Sequence, residues 1–195
     1  APITLHNYRV FRKFVLLNTN AGYAFYWSNH PIYGSKYLSI LTEDMPSYYD
    51  LLPQDALWMD EAALDRELLR RGIEIVAADP GRYLNLSLDR IPVYFMFWPK
   101  ASSSPLSNLT RVFSYGLALP FILAGIVLWA GDLRKRRLKL DEGLLLLIFG
   151  LVYSAIHLLS WAGIRYRLPV DAVSMIFAAR GLYNLGQALF LKKQA

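Results

Sequence analysis

The sequence predicts a mainly α-helical membrane protein with about three transmembrane helices and a small mixed α/β extracytoplasmic domain. Three observations carry that expectation. Of the 195 residues, 55% are apolar and only 18% are charged, with a mean hydropathy of +0.27, too few charges for the surface of a soluble domain of this size. The longest apolar runs all fall in the second half of the chain. Basic residues sit beside those runs, so the net charge of +6 reads as membrane topology and not as a nucleic-acid footprint. The absence of cysteine excludes disulfides, thiolate metal centres and cysteine nucleophiles.

Residues 1–104 are expected to form the extracytoplasmic domain, with a loop and strand part over 1–58 and a helical part over 59–98. The opening stretch APITLHNYRVFRKF has no signal-peptide core, so the chain is expected to follow a removed leader or to be the tail of a longer protein. FRKFVLLNT, from Phe11 to Thr19, mixes strand formers with basic residues. NTNAGYAFYWSNHPIYGS is rich in Asn, Gly and aromatics and reads as strand fragments and ordered loop. Asp60 then stands as the N-cap of a helix with acids in its first turn and Leu64, Leu68, Ile75 and Val76 at helical spacing. Pro80 opens a second helix in the manner of an N1 proline. Its end, Tyr94 to Trp98, is aromatic enough for a membrane interface.

Residues 105–195 are expected to form the membrane domain, with spans near 109–130, 143–163 and 170–191. The first contains only Arg111 as a charge and has the roughly 20 apolar residues a spanning helix needs; Pro120 kinks such a helix without stopping it. The second opens with GLLLLIFGLVY. The third carries Asp171, Arg180, Asn184 and Gln187 and therefore needs protein neighbours. Arg134 to Lys139, between the first two spans, and Lys192 and Lys193, after the third, belong in the cytoplasm by the positive-inside rule. Residues 1–104 and the loop carrying Arg165 and Arg167 then lie outside, in a multi-pass protein of the cytoplasmic (inner) membrane.

Arg165 and Arg167 thus stand on the face that the rule leaves poor in arginine. A guanidinium offers phosphate a planar fork of donors and stays charged, although arginines at helix ends also snorkel to headgroups. Pro169 biases Leu168 away from helical geometry, which would let both guanidinium groups turn toward one anion. His157 lies eight residues before Arg165, roughly 12 Å along a helix and on a similar face. Arg180, near the middle of the third span, is costly without a polar partner. Asp171 is too far along the helix to serve, so the partner is expected outside this chain. Glu43–Asp44 and Asp60–Glu61 read as turn and helix caps, not as a catalytic pair.

TLHNYRVFRKFVLLNTNAGYAFYWSNHPIYGS, DEAALDRELLRRGIEIVAADPGRYLNLSLDRI and HLLSWAGIRYRLPVDAVSMIFAARGL resemble, in that order, the C-terminal portion of bacterial GT-C membrane glycosyltransferases. The branch is the one similar to protein O-mannosyltransferases and lipid A aminoarabinose transferase. The resemblance implies an enzyme that takes a sugar from a polyprenyl-phosphate carrier to an acceptor outside the cytoplasmic membrane. It places the catalytic acid in an early extracytoplasmic loop, N-terminal to this chain, along with any divalent metal; no cofactor and no catalytic residue is assigned here. It implies an acceptor-side loop with Asn20, Tyr23, Asn29 and His30, and a carrier-phosphate site with Arg165, Tyr166, Arg167 and His157. His6, where relatives often carry Arg, and Arg180, where a neutral residue is expected, depart from the pattern. The implied partners are membrane lipid, the polyprenyl-phosphate sugar, and preceding spans or other membrane subunits; nucleic acid is not among them. A non-catalytic three-span subunit of a larger assembly is the alternative, and a lipid- or peptidoglycan-binding module a third reading.

Overall fold

The computed structural model describes residues 2–16, 18–42, 44–101, 103–135 and 142–191. Two compact units emerge, one of Ala1–Val93 with Leu158–Gly163, the other of Tyr94–His157 with Ile164–Ala195. Both are helical, and no strand occurs among the described residues.

In the first unit, α1 (Pro2–Phe11), α2 (Ala21–Asn29), α3 (Glu61–Ala78) and most of α4 (Pro80–Tyr94) replace the expected mixed layer. The α/β expectation is corrected here for two physical reasons. The apolar residues after Phe11 find no partner strand among the described residues, and a lone extended segment leaves its backbone unpaired. The aromatic AGYAFYWSN stretch is helix instead, because α3 caps it from outside. The Asp65 carboxylate accepts from the Gly22 and Tyr23 backbone N–H groups at 2.8 and 3.3 Å, doing for the α2 N-terminus what the Asn20 side chain does not. A methyl on Gly22 would lie 1.8 Å from the Asp65 carbonyl oxygen, so α2 and α3 touch backbone to backbone. Their seam closes on Tyr26, Leu64 and Leu68, with Leu52 and Ala56 from the intervening loop.

At the start of α3, Asp60 caps the helix as its position predicts, accepting from Ala63 N–H at 2.8 Å, and also pairs with Lys13 at 2.7 Å. Pro80 begins α4, which continues past Pro92 to Tyr94. The α4 face at 86, 87 and 90 is buried. It closes over the returning Leu158–Gly163 segment. Tyr83 Oη donates to Leu159 O at 2.9 Å, Arg90 Nη1 to Leu158 O at 3.2 Å, and Tyr37 Oη to Ala162 O at 3.0 Å.

Among its described residues the second unit holds two helical stretches long and apolar enough to cross a membrane, Pro105–Leu133 and Glu142–Leu159. Only 22% and 6% of their most apolar windows are buried, whereas the core helix of a soluble protein is buried over most of its surface. The first stretch joins α5 (Pro105–Arg111), a π-helical turn (Val112–Gly116) and α6 (Leu117–Lys135). A proline ring in a helix clashes with the carbonyl four residues earlier, which for Pro120 is Gly116. The wider π turn ends at that residue, so the helix continues past the proline. Arg111 does not face lipid alone: it donates to Trp98 O at 3.2 Å and to Ser103 Oγ at 3.3 Å, tying down the connector.

The helix α7 (Glu142–Leu159) ends four residues short of the expected span, and a 3-10 turn (Ile164–Arg167) leads into α8 (Leu168–Leu191). Pro169 therefore lies in the first turn of a new helix and does not hold Leu168 out of one. Proline is tolerated there because the first-turn N–H groups have no intrahelical partner. At 24 residues, α8 is long enough to span, but it is not one of the two apolar stretches; Asp171, Arg180, Asn184 and Gln187 dilute it. It packs on α6, where methyls on Gly125 and Gly181 would come within 1.9 and 2.3 Å of the Phe177 and Phe121 carbonyl oxygens. That small-residue crossing is a common way for membrane helices to approach closely. Residues 136–141 and 192–195, on which part of the orientation expectation rests, and Glu43 lie outside the described residues.

Candidate functional site

The stretch from Arg165 to Asp171 divides its arginines between two roles. Arg167 is 2% exposed. Its Nε donates to Asp171 Oδ1 at 2.8 Å, its Nη1 to Tyr94 O at 3.0 Å, and its guanidinium lies 3.6 Å from the Tyr115 ring centroid. One turn of α8 separates it from Asp171, the i,i+4 spacing at which ion pairs meet. Arg167 therefore spends its donors inside the fold, holding the chain where α4 ends.

Arg165 is exposed. Its Nη2 donates to Tyr166 Oη at 3.0 Å, and its guanidinium lies 5.0 Å from the same ring. Tyr166 stacks on His157, at 4.9 Å and 17°, and His157 stacks in turn on Tyr94, at 6.2 Å and 20°. Tyr153 leans on the imidazole from the side, its centroid 4.8 Å away. Arg165, Tyr166, His157 and Tyr94 thus form a column of planar groups with the cation at its open end. The expected convergence of Arg165 and Arg167 on one anion does not occur, because ion pairing to Asp171 draws Arg167 inward. His157 meets this turn through Tyr166 and not along one continuous helix as its spacing from Arg165 supposed, because α7 ends at Leu159.

Arg180 has its partner within the chain, contrary to the expectation from sequence spacing: it pairs with Asp132 of α6. The pair bridges two helices, and linear distance along one helix carries no information about it.

In the first unit, the four acceptor-side candidates are spread along α2. Asn20 precedes its first turn, and Tyr23 packs against Trp27 with centroids 5.1 Å apart. Burial, with Glu61 and Asp65 nearby, pushes the Tyr23 hydroxyl pKa up. Asn29 and His30 lie at the other end, about 13 Å away along a nine-residue helix, so the structure does not gather the four into one cluster. Asn29 is 1% exposed; its Nδ2 donates to Phe25 O at 2.8 Å, and its Oδ1 accepts from Arg90 Nη2 at 2.8 Å. His30 Nδ1 accepts from Ile32 N–H at 3.3 Å, and burial, then the Arg82 charge, lowers its pKa.

Two residues that sequence reading passed over organise this end of α2. Arg90, fully buried, donates to Ser28 O at 2.7 Å as well as to Asn29 Oδ1 and Leu158 O. Arg82 donates to Asn29 O at 2.9 Å, His30 O at 2.8 Å and Gly34 O at 2.6 Å. A signal existed for Arg90: it falls at i+3 and i+4 from Ser87 and Leu86 on the face α4 buries, where a charge needs a reason. Half-buried Trp27, Tyr48 and Trp161 complete the region, with neighbouring centroids 5.2 to 6.5 Å apart.

No family model matches the chain, and no curated protein and no solved structure is significantly similar to it.

Proposed function

We propose that this chain is the C-terminal part of a GT-C type membrane glycosyltransferase, moving a sugar from a polyprenyl-phosphate carrier to an acceptor on the outer face of the cytoplasmic membrane. The observation that carries the reading is the exposed Arg165 guanidinium braced on the Tyr166–His157–Tyr94 column. A guanidinium held over a ring has lost part of its rotational freedom before an anion arrives, and its remaining N–H groups offer phosphate a planar fork. A cation at the carrier phosphate stabilises the charge that builds there as the glycosidic bond breaks. Arg167 supports that site as a positioning residue through Asp171 and the Tyr94 carbonyl, and is withdrawn as a direct phosphate contact. The two apolar helices support a membrane setting.

The test is polyprenyl-phosphate binding by the full chain in nanodiscs. Arg165→Lys keeps the charge but not the fork, and is expected to weaken binding tenfold or more, about 1.4 kcal/mol. Unchanged affinity for the lysine variant would reduce Arg165 to a headgroup snorkeller and remove the carrier site from this chain. The orientation belongs to the same reading: cysteines placed at Ser103 and Lys135 of the naturally cysteine-free chain should label from outside only at 103, and the reverse order would reject it.

A further inference from the structure

We infer that the cavity formed by α1, the chain that returns beside it and the start of α3 is a binding site for one neutral sugar ring. This inference is independent of the sugar-transfer reading, whose Arg165 belongs to the other unit. On α1, His6, Asn7, Val10 and Phe11 line the cavity; at 100° per residue they occupy one side of the helix, an arc of about 140°. Val15, Asn18 and Thr19 of the returning chain and Glu61, in the first turn of α3, complete the lining. These walls are tied to one another. Asn7 Nδ2 donates to Val15 O at 3.2 Å, the Thr19 hydroxyl to the Glu61 carboxylate, and Arg66 Nη2 of α3 to Phe14 O at 3.1 Å, while Lys13 pairs with Asp60 at 2.7 Å. A cavity whose walls are held in place before a ligand arrives spends less ordering entropy on binding it.

The cavity encloses about 280 Å³, at the lower end of small-molecule sites, which suits a single ring. Its lining identifies the ligand. Histidine, asparagine and threonine side chains both donate and accept hydrogen bonds, as sugar hydroxyls do, and Val10, Phe11 and Val15 offer an apolar surface to the C–H face of the ring. A purely apolar ligand would bury the polar groups without partners. An anion would meet the Glu61 carboxylate and no lysine or arginine in the lining. A metal ion would find His6 and Glu61, and no group of three or more His, Asp or Glu that could hold one occurs among the described residues. His6 and Asn18 are exposed, so the polar rim is open to a ligand arriving from water.

The test is a titration of the full chain, in nanodiscs free of glycolipid, with the methyl glycosides of glucose, galactose, mannose and N-acetylglucosamine, followed by saturation transfer from protein to ligand protons. Cyclohexanol, a ring of similar size with one hydroxyl, is the comparison. At least one glycoside is expected to bind at millimolar concentration and several-fold more tightly than cyclohexanol. Binding by none of the four overturns the inference, and cyclohexanol binding as tightly as the sugars overturns recognition of the hydroxyls. Asn18→Ala removes one exposed polar group from the rim and is expected to weaken binding about fivefold, as for one hydrogen bond. Val10→Trp, at a position 57% exposed, fills the cavity and is expected to abolish binding. Sugar binding that is unchanged in both variants lies elsewhere on the protein and overturns the assignment to this cavity.

Discussion

Among the described residues each unit buries one arginine, and the two are neutralised differently. Arg167 meets a carboxylate, Asp171, one turn away on its own helix. Arg90, just as buried, has no carboxylate partner among the described residues; it faces Ser28 O and Leu158 O, both from the last turn of a helix, and the Asn29 amide oxygen. The last carbonyls of a helix have no intrahelical donor and carry the negative end of the helix dipole. The backbone of α2 and α7 therefore takes the part that a side-chain acid plays for Arg167. A buried cation in this chain needs converging oxygens more than it needs a formal negative charge. In both places the guanidinium joins segments far apart in sequence, where lysine would supply fewer and less planar donors.

Arg90→Ala tests that comparison most severely. It strands several buried oxygens at once, each costing about 1–3 kcal/mol, and should lower stability by about 3 kcal/mol or more in denaturant titrations followed by tryptophan fluorescence. A loss below 1 kcal/mol would mean that the helix ends are solvated without Arg90. Asp171→Asn comes next. If carbonyls alone can hold a buried guanidinium, as around Arg90, the loss should stay near the about 1.5 kcal/mol of one charge-assisted bond; a cost of 3–5 kcal/mol would show that Arg167 depends on formal charge compensation.

Asp60→Ala removes the α3 cap and should lower the unfolding midpoint in the same titration by less than the Arg90 change does. Arg180→Leu should cost less than either the Arg90 or the Asp171 change, because the pair with Asp132 is 36% and 48% exposed and lies on a helix surface, not sealed inside the fold. A much larger loss would place that pair with the buried arginines. The smallest effect concerns pH. Burial and Arg82 hold the His30 pKa below its ordinary 6.5, so the unfolded chain takes up a proton first as pH falls. The stability owed to neutral His30 is present above pH 6.5 and is lost as pH drops through the lowered folded value. Hydrogen bonds from Arg70 and Arg71 lower Glu67 from 4.5 to about 2, so its contribution is present above 4.5 and lost as pH falls through about 2. Unfolding midpoints from pH 8 to pH 5 should decline less in His30→Gln than in the parent; equal slopes would show that His30 does not drive the decline.

Local chemistry made certain features legible in the sequence. The apolar runs at 109–130 and 143–163 predicted helices because chain length and composition decide whether a segment can cross a bilayer. Asp60 announced its helix because capping involves residues three apart, and Pro80 announced the next through its fixed φ and missing N–H. The supposed strands in 1–58 were misread because Asn, Gly and aromatic residues have weak helical preference, and only Asp65, more than 40 residues away, supplies the cap that makes Ala21–Asn29 helical. Tertiary structure alone decided the fates of the arginines. Arg165 and Arg167 are two residues apart and chemically identical, yet one is exposed on a tyrosine and the other is buried on an acid. Arg180 found Asp132 across a helix pair, and Arg90 found the end of α2. Sequence spacing measures separation along one element, whereas the partner of a charged side chain is set by which elements meet, and it is that meeting which determines what each cation can bind.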